Sequence, residues 1–180
     1  MGYEKRQALI HRLADLMEEH ADELAMADTR DMGKPITQAR HDVARSVWNF
    51  RFFADHARMT ASDAYPMDSG HHAYTRFDPV GVTVAISPWN FPLMLGTWKV
   101  APALAWGNTV EWKPAEDTPV SATIVARLAI EAGFPPGVFN VVTGFGNEIG
   151  DPLVIHPRVA KVAFTGSTEV GRILMKQCAP

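Results

Sequence analysis

Two prolines enclose Trp89, Asn90 and Phe91 in the run Ser87-Pro88-Trp89-Asn90-Phe91-Pro92. Proline fixes φ and removes a backbone donor, so the corner is stiff and holds the Asn90 side chain in one place. An amide held this way can donate to an oxygen that gains negative charge, and one such donor is typically worth about 3 to 4 kcal/mol of a barrier. The same amide could simply close its own turn. Trp89 likewise reads either as a working side chain or as an aromatic at the rim of the core.

Three further runs carry polar chemistry. In Lys113-Pro114-Ala115-Glu116 an ammonium and a carboxylate stand three residues apart in a proline-fixed turn. The ammonium can donate to a ribose diol and the carboxylate can accept from it, and the carboxylate repels a 2′-phosphate, which favours NAD over NADP. Charges that complement a helix start would look the same. Gly144-Phe145-Gly146-Asn147-Glu148-Ile149-Gly150 is a G-x-G with a three-residue gap before its last glycine, where the usual dinucleotide fingerprint has two. Thr165-Gly166-Ser167-Thr168-Glu169-Val170-Gly171 is a small-residue turn that opens a helix and offers N–H groups and hydroxyls to an anion. Taken singly, either glycine-rich run could be ordinary scaffolding.

These runs need elements to aim them. Val82–Ile86, Thr109–Trp112, Val138–Val142 and Val159–Phe164 read as strands; the first is β-branched and apolar on both faces, the pattern of a strand buried on both sides of a parallel sheet. Helical stretches lie between and after them: Leu93–Trp106, Pro119–Ala132 with Thr118 as cap and Pro119 at the first position, Asn147–Ile155, and Ser167–Lys176. Each chemical run therefore falls where a strand gives way to a helix. Alternation of this kind implies right-handed crossovers and a doubly wound α/β sheet whose ligands sit beyond the carboxyl ends of the strands.

Ahead of the sheet, Leu9, Leu13, Leu16, Met17 and Leu24 recur at helical spacing and predict one amphipathic helix over Tyr3–Met26. Gly33 and Pro35 stop it. Thr37 is placed to cap a second long helix with the stripe Val43, Val47, Phe50, Ala54 and Ala57, its apolar face widened by Trp48, Phe52 and Phe53. From Thr60 to Pro79 the chain turns polar and irregular, a loop or arm with a short extended piece at Ala73–Phe77. The expected organisation is N-terminal helices over 1–59 packed on the cofactor domain, an arm over 60–79 and a partial dinucleotide-binding domain over 80–180.

Composition narrows the function. With 180 residues, 47% hydrophobic and 21% charged, the chain can fold around a core and is not disordered. Seventeen Lys and Arg against twenty Asp and Glu leave a net charge of −3, which argues against a nucleic-acid grip built on a basic stripe. One cysteine, Cys178, allows no internal disulfide, and no Cys/His cluster has metal-site spacing, so no metal and a reducing cytoplasm are expected. Lys99 and Pro102 interrupt the most apolar run, Leu93–Trp106, so no membrane span is expected. Tyr3, Tyr65 and Tyr74 lack a Lys four residues on, which speaks against short-chain dehydrogenase chemistry.

Ile-Ser-Pro-Trp-Asn-Phe-Pro, Lys-Pro-Ala-Glu, Gly-Phe-Gly-x-x-x-Gly and Phe-Thr-Gly-Ser-Thr-x-x-Gly, in this order, resemble the aldehyde dehydrogenase superfamily, as do Asp-Met-Gly-Lys-Pro and Pro79-Val80-Gly81-Val82. The resemblance implies a Rossmann-like sheet preceded by two long helices and incomplete at the C-terminus, and NAD-dependent oxidation of a small-molecule aldehyde, with NADP second. It implies that Asn90 donates to the aldehyde oxygen and the thiohemiacetal, and that Ile86, Pro88 and Trp89 line the cofactor groove. Lys113 and Glu116 would hold the adenosine ribose, Gly146 and Gly150 would let the adenine end lie close, and Gly166, Ser167 and Val170 would meet phosphate and adenine.

The resemblance places the substrate entrance near Phe91, Met94, Leu95 and Trp98. It also implies homo-oligomers through the arm, or association through an exposed sheet edge. The general-base Glu and the nucleophilic Cys of the family fall downstream of Pro180, and Cys178 in Lys-Gln-Cys-Ala-Pro does not match the nucleophile. The expectation is thus a cofactor cleft and oxyanion donor without a nucleophile. The alternative is an inactive nucleotide-binding or assembly fragment that needs a partner.

Overall fold

A computed structural model describes residues 1–68 and 70–179. Three helices come first: α1 (Tyr3–Glu19), α2 (Ala21–Met32) and α3 (Ile36–Met59). The single helix predicted over Tyr3–Met26 is thus two, because His20 leaves the helical conformation at φ −101°, ψ 22° and α2 starts afresh behind it. The re-aimed second piece buries Leu24, Ala25 and Ala27 while α1 buries Ile10, Leu13, Ala14, Leu16 and Met17. α2 ends at Gly33, whose φ of 74° is the left-handed conformation that stops a helix at little cost to glycine. α3 starts one residue ahead of Thr37, on Pro35, and Thr37 caps nothing.

The stripe expected along α3 is buried at Val43, Val47, Phe50 and Ala54. Trp48 and Phe52 do not widen that face; they stand out to solvent and stack on each other with ring centres 4.9 Å apart. In the arm, β1 (Ala64–Tyr65) and β2 (Ala73–Tyr74) pair antiparallel, a smaller extended piece than Ala73–Phe77 and with a partner strand that local pattern did not indicate.

The second half alternates β3 (Val82–Ile86), α4 (Pro92–Ala105), β4 (Thr109–Lys113), α5 (Val120–Glu131), β5 (Phe139–Val141), α6 (Gly146–Val154), β6 (Val159–Phe164) and α7 (Thr168–Gln177). Pro119 precedes α5 as its cap residue instead of sitting in its first turn, and the Thr118 hydroxyl is buried without a partner among the described residues, so the expected Thr118 cap does not form. The four strands are parallel in the order β5-β4-β3-β6. Helices cover both faces, as a doubly wound sheet requires.

Strand alternation divides the core between those faces. Ala85, Val110 and Trp112 point into the larger cluster with α1, α3, α4 and α5, whereas Val84 and half-buried Ile86 point into a smaller one with Val154 of α6 and Leu174 of α7. Trp112 is fully buried, and truncating such a side chain typically costs about 3–5 kcal/mol. No helix of the described residues is long and apolar enough to cross a membrane.

Candidate functional site: a crevice at the strand ends

The register sets the site. Ile86 pairs with Lys113 on one side and with Phe164 on the other, so β3, β4 and β6 end level. Two backbone bonds carry this alignment into the corners: the Ser87 N–H donates to the Lys113 carbonyl at 3.2 Å, and the Thr165 N–H to the Ile86 carbonyl at 3.1 Å. From β3 the chain steps out through β4 to β5, then returns to place β6 on the other side. The reversal between β3 and β6 is the point at which open α/β sheets form a ligand crevice.

A cleft of about 960 Å³ opens there, within the size range of small-molecule sites. Ile86, Pro88, Trp89 and Asn90 line it from the first corner, and Lys113 and Glu116 from the second. Gly146 and Gly150 line it from the start of α6, and Gly166, Ser167 and Val170 from the last corner. The four separated runs therefore meet around one space. Ser87, Ala115, Asn147 and Thr165 also line it and were not singled out in the sequence, although each lies inside a corner that was.

The Asn90 side chain is exposed and has no hydrogen-bond partner among the described residues, so it does not close its own turn. Lys113 is buried; its Nζ donates to the Pro114 carbonyl at 3.2 Å and to Glu116 Oε2 at 3.3 Å. The Glu116 carboxyl is held below the ordinary value, first by a hydrogen bond from its own backbone N–H and then by the Lys113 ammonium, with partial burial opposing them. It stays ionised toward the cleft. Ser167 caps α7, its Oγ accepting from the Val170 N–H at 3.2 Å.

The glycines divide into two kinds. A Cβ on Gly166 would stand 2.5 Å from Phe164 Cζ, so the Phe164 ring would have to shift to admit it. A Cβ on Gly146 or Gly150 would meet nothing within 4 Å. The fold leaves open the space in front of those two.

Of the expected entrance residues, Leu95 lines the cleft, whereas Phe91 and Met94 do not and Trp98 stands half in solvent on α4. One turn along α4, Lys99 was missed in sequence; its Nζ donates to the Leu95 carbonyl at 2.9 Å, and burial pushes its ammonium down to about 8. Cys178 is exposed and lines a different groove, along β6 and α7. Among the described residues, no three His, Cys, Asp or Glu side chains are grouped to hold a metal.

Comparison with known proteins agrees with this architecture over the whole chain. The model of the "Aldehyde dehydrogenase family" matches residues 1–180. The phenylacetaldehyde dehydrogenase of Pseudomonas fluorescens is 51% identical over 180 residues, a match covering 96% of this chain and 36% of that protein. The structure of an aldehyde dehydrogenase from Bacillus cereus in complex with NAD+ superposes with a TM-score of 0.95 at 46% identity, over 98% of this chain and 36% of that one. An NADP-dependent enzyme from E. coli superposes with a TM-score of 0.96 at 42% identity, over 99% and 37%. The chain thus spans a little over a third of the length of the proteins it matches.

Proposed function

Because this chain belongs to the aldehyde dehydrogenase family, we propose that it forms the dinucleotide cleft and the oxyanion-binding corner of an enzyme that oxidises an aldehyde to a carboxylic acid. The observation that carries the reading is the level ending of β3, β4 and β6, which, with the start of α6 behind β5, brings four corners to one crevice with the unpartnered Asn90 amide at its edge. NAD, when bound, accepts the hydride that leaves the aldehyde carbon.

The residues of this chain do the rest by holding groups in place. Asn90 donates to the carbonyl oxygen as it gains charge, and the prolines on either side of its corner spare it reorganisation at that moment. Lys113 donates to the adenosine ribose and ionised Glu116 accepts from it; Glu116 also repels a 2′-phosphate, so NAD is preferred to NADP. Ile86, Pro88 and Trp89 form the wall of the groove. Gly146 and Gly150 leave their open space to the adenine end, and the first N–H groups of α7 beside Gly166, Ser167 and Val170 face a phosphate. Residues 60–79, with exposed Tyr65, Tyr74 and Phe77, form the arm through which copies associate.

The test is Asn90→Ala in the protein as the cell makes it, with NAD affinity measured by calorimetry and aldehyde-dependent NADH formation followed in parallel. The expected result is a fall in kcat of roughly 10²–10³ with NAD affinity unchanged, the scale seen when one oxyanion donor is removed. Undiminished kcat would overturn the assignment of Asn90, and absence of NAD binding to the unaltered protein would overturn the cleft.

A further inference from the structure

Far from the strand ends in sequence, the loop between α2 and α3 buries a cation. Lys34 is 5% exposed, its Nζ pairs with Asp42 Oδ2 at 2.5 Å, and Asp42 is itself buried on α3. Replacing a buried pair of this kind by apolar groups of similar volume is often neutral or stabilising, so cohesion alone does not account for it. The geometry supplies another reason. The same Nζ lies 4.2 Å from the centre of the Phe91 ring, over its face.

Phe91 is the residue after Asn90 and the N-cap of α4, at φ −137°, ψ 67° and with no side-chain cap to hold it. Its backbone carbonyl accepts from the Leu95 N–H at 3.0 Å, which fixes the backbone at that carbonyl but not the ring. Lys34 is well placed to hold the ring. Pro35 follows it and narrows its backbone conformation, and Asp42 fixes its ammonium. α3 is stitched to α4 one helical stretch further on, where Asn49 Nδ2 donates to Thr97 Oγ1 at 3.1 Å. The helix that carries Asp42 is thus tied directly to the helix that Phe91 starts.

We propose that Lys34, held by Asp42, is a positioning residue for Asn90: its ammonium clamps the Phe91 ring by a cation–π contact and so fixes the backbone that aims the Asn90 amide. A buried, paired ammonium suits this task because the attraction of a cation to a ring face grows as water is removed from around it. The proposal rests on the oxyanion role for its catalytic consequence, though not for its structural one.

The experiment uses the whole protein and two variants: Lys34→Met with Asp42→Asn, which removes the ion pair as a neutral whole, and separately Phe91→Leu. The Asn90 side-chain amide is observed by 15N NMR, assigned by its loss in Asn90→Ala, and kcat and KM for NAD are measured alongside. The expected result is a shifted or broadened Asn90 signal and at least a tenfold fall in kcat, with KM for NAD within twofold. Combining the neutral pair with Phe91→Leu adds no further loss. Arg40→Met, which breaks an exposed ion pair to Asp22 on the same helices, serves as control and leaves both readouts unchanged.

An Asn90 signal that stays unmoved in the neutral pair overturns the clamp, whatever the kinetics do. If Asn90→Ala itself keeps full turnover, the oxyanion reading fails, and the NMR signal alone decides whether Lys34 positions the corner.

Discussion

Trp112 Nε1 donates to Ser87 Oγ at 2.9 Å, which ties the buried end of β4 to the first residue of the corner that carries Asn90. The indole leaves no space on its other side: a Cβ built on Gly96 of α4 would overlap its Cζ2 atom. One side chain thus sets both the height of the corner and the distance at which α4 crosses the sheet.

Gly96→Ala should therefore be strongly destabilising even though alanine is the better helix former. The intrinsic gain of about 1 kcal/mol is outweighed because neither the wholly buried indole nor the helix can yield without losing packing, and overfilling a core typically costs about 1–3 kcal/mol. Urea unfolding checks it: the midpoint falls with little change in slope, and an unchanged or raised midpoint would show that the indole has room to move.

Gly150→Ala and Gly146→Ala should do the opposite. A new Cβ at either position meets no protein atom within 4 Å and both positions lie in α6, so thermal stability holds or rises. The methyl enters the cleft, and NAD binding measured by calorimetry should weaken by tenfold or more. A variant that binds NAD as the unaltered protein does would remove these glycines from the cofactor site.

The contrast among glycines shows what the sequence could and could not convey. The corners were legible because a strand of β-branched residues, a small or proline-bearing turn and a helical stripe follow one another within about ten residues, and the structure puts Asn90, Lys113, Glu116 and Ser167 where those local patterns predict. Which glycine serves the fold and which serves open space depends on Phe164 lying under Gly166, a contact no local pattern announces. Lys34 over Phe91 was illegible for a similar reason, since 57 residues separate partners joined only by the packing of α2, α3 and α4. The break at His20 was missed because the apolar stripe runs on through it, and the exposure of Trp48 and Phe52 because hydrophobicity alone does not say where a helix face ends.

Glu116→Gln should alter cofactor choice more than affinity. The glutamine keeps an acceptor for a ribose hydroxyl and loses the charge, so the ratio of kcat/KM for NADP to that for NAD rises, by tenfold or more if the carboxylate is the main barrier to a 2′-phosphate. A ratio that does not move would place the discrimination elsewhere in the cleft. In the unaltered protein the ratio should also climb as the pH is lowered toward the carboxyl's depressed range, and Glu116→Gln should abolish that climb.

Asp28 on α2 sets a pH dependence of stability with an unusual sign for a carboxylate. It is fully buried, neither of its oxygens is in hydrogen-bond geometry with a described partner, and burial pushes its carboxyl up to about 6, with the nearby Ser121 hydroxyl and Lys34 ammonium offsetting this only in part. The unfolded chain releases this proton near pH 4 while the folded chain keeps it to about 6. Between those values the folded state binds more protons, so this group's contribution to stability falls as pH rises through the window and stays unfavourable above it. A shift of this size corresponds to something on the order of 3 kcal/mol. Asp28→Asn, neutral throughout, should match the unaltered protein at pH 4 and exceed it above pH 6 by up to that amount, read as the difference between the two urea midpoints across the range. If the asparagine variant is less stable above pH 6, the charged carboxylate has a partner that compensates its burial.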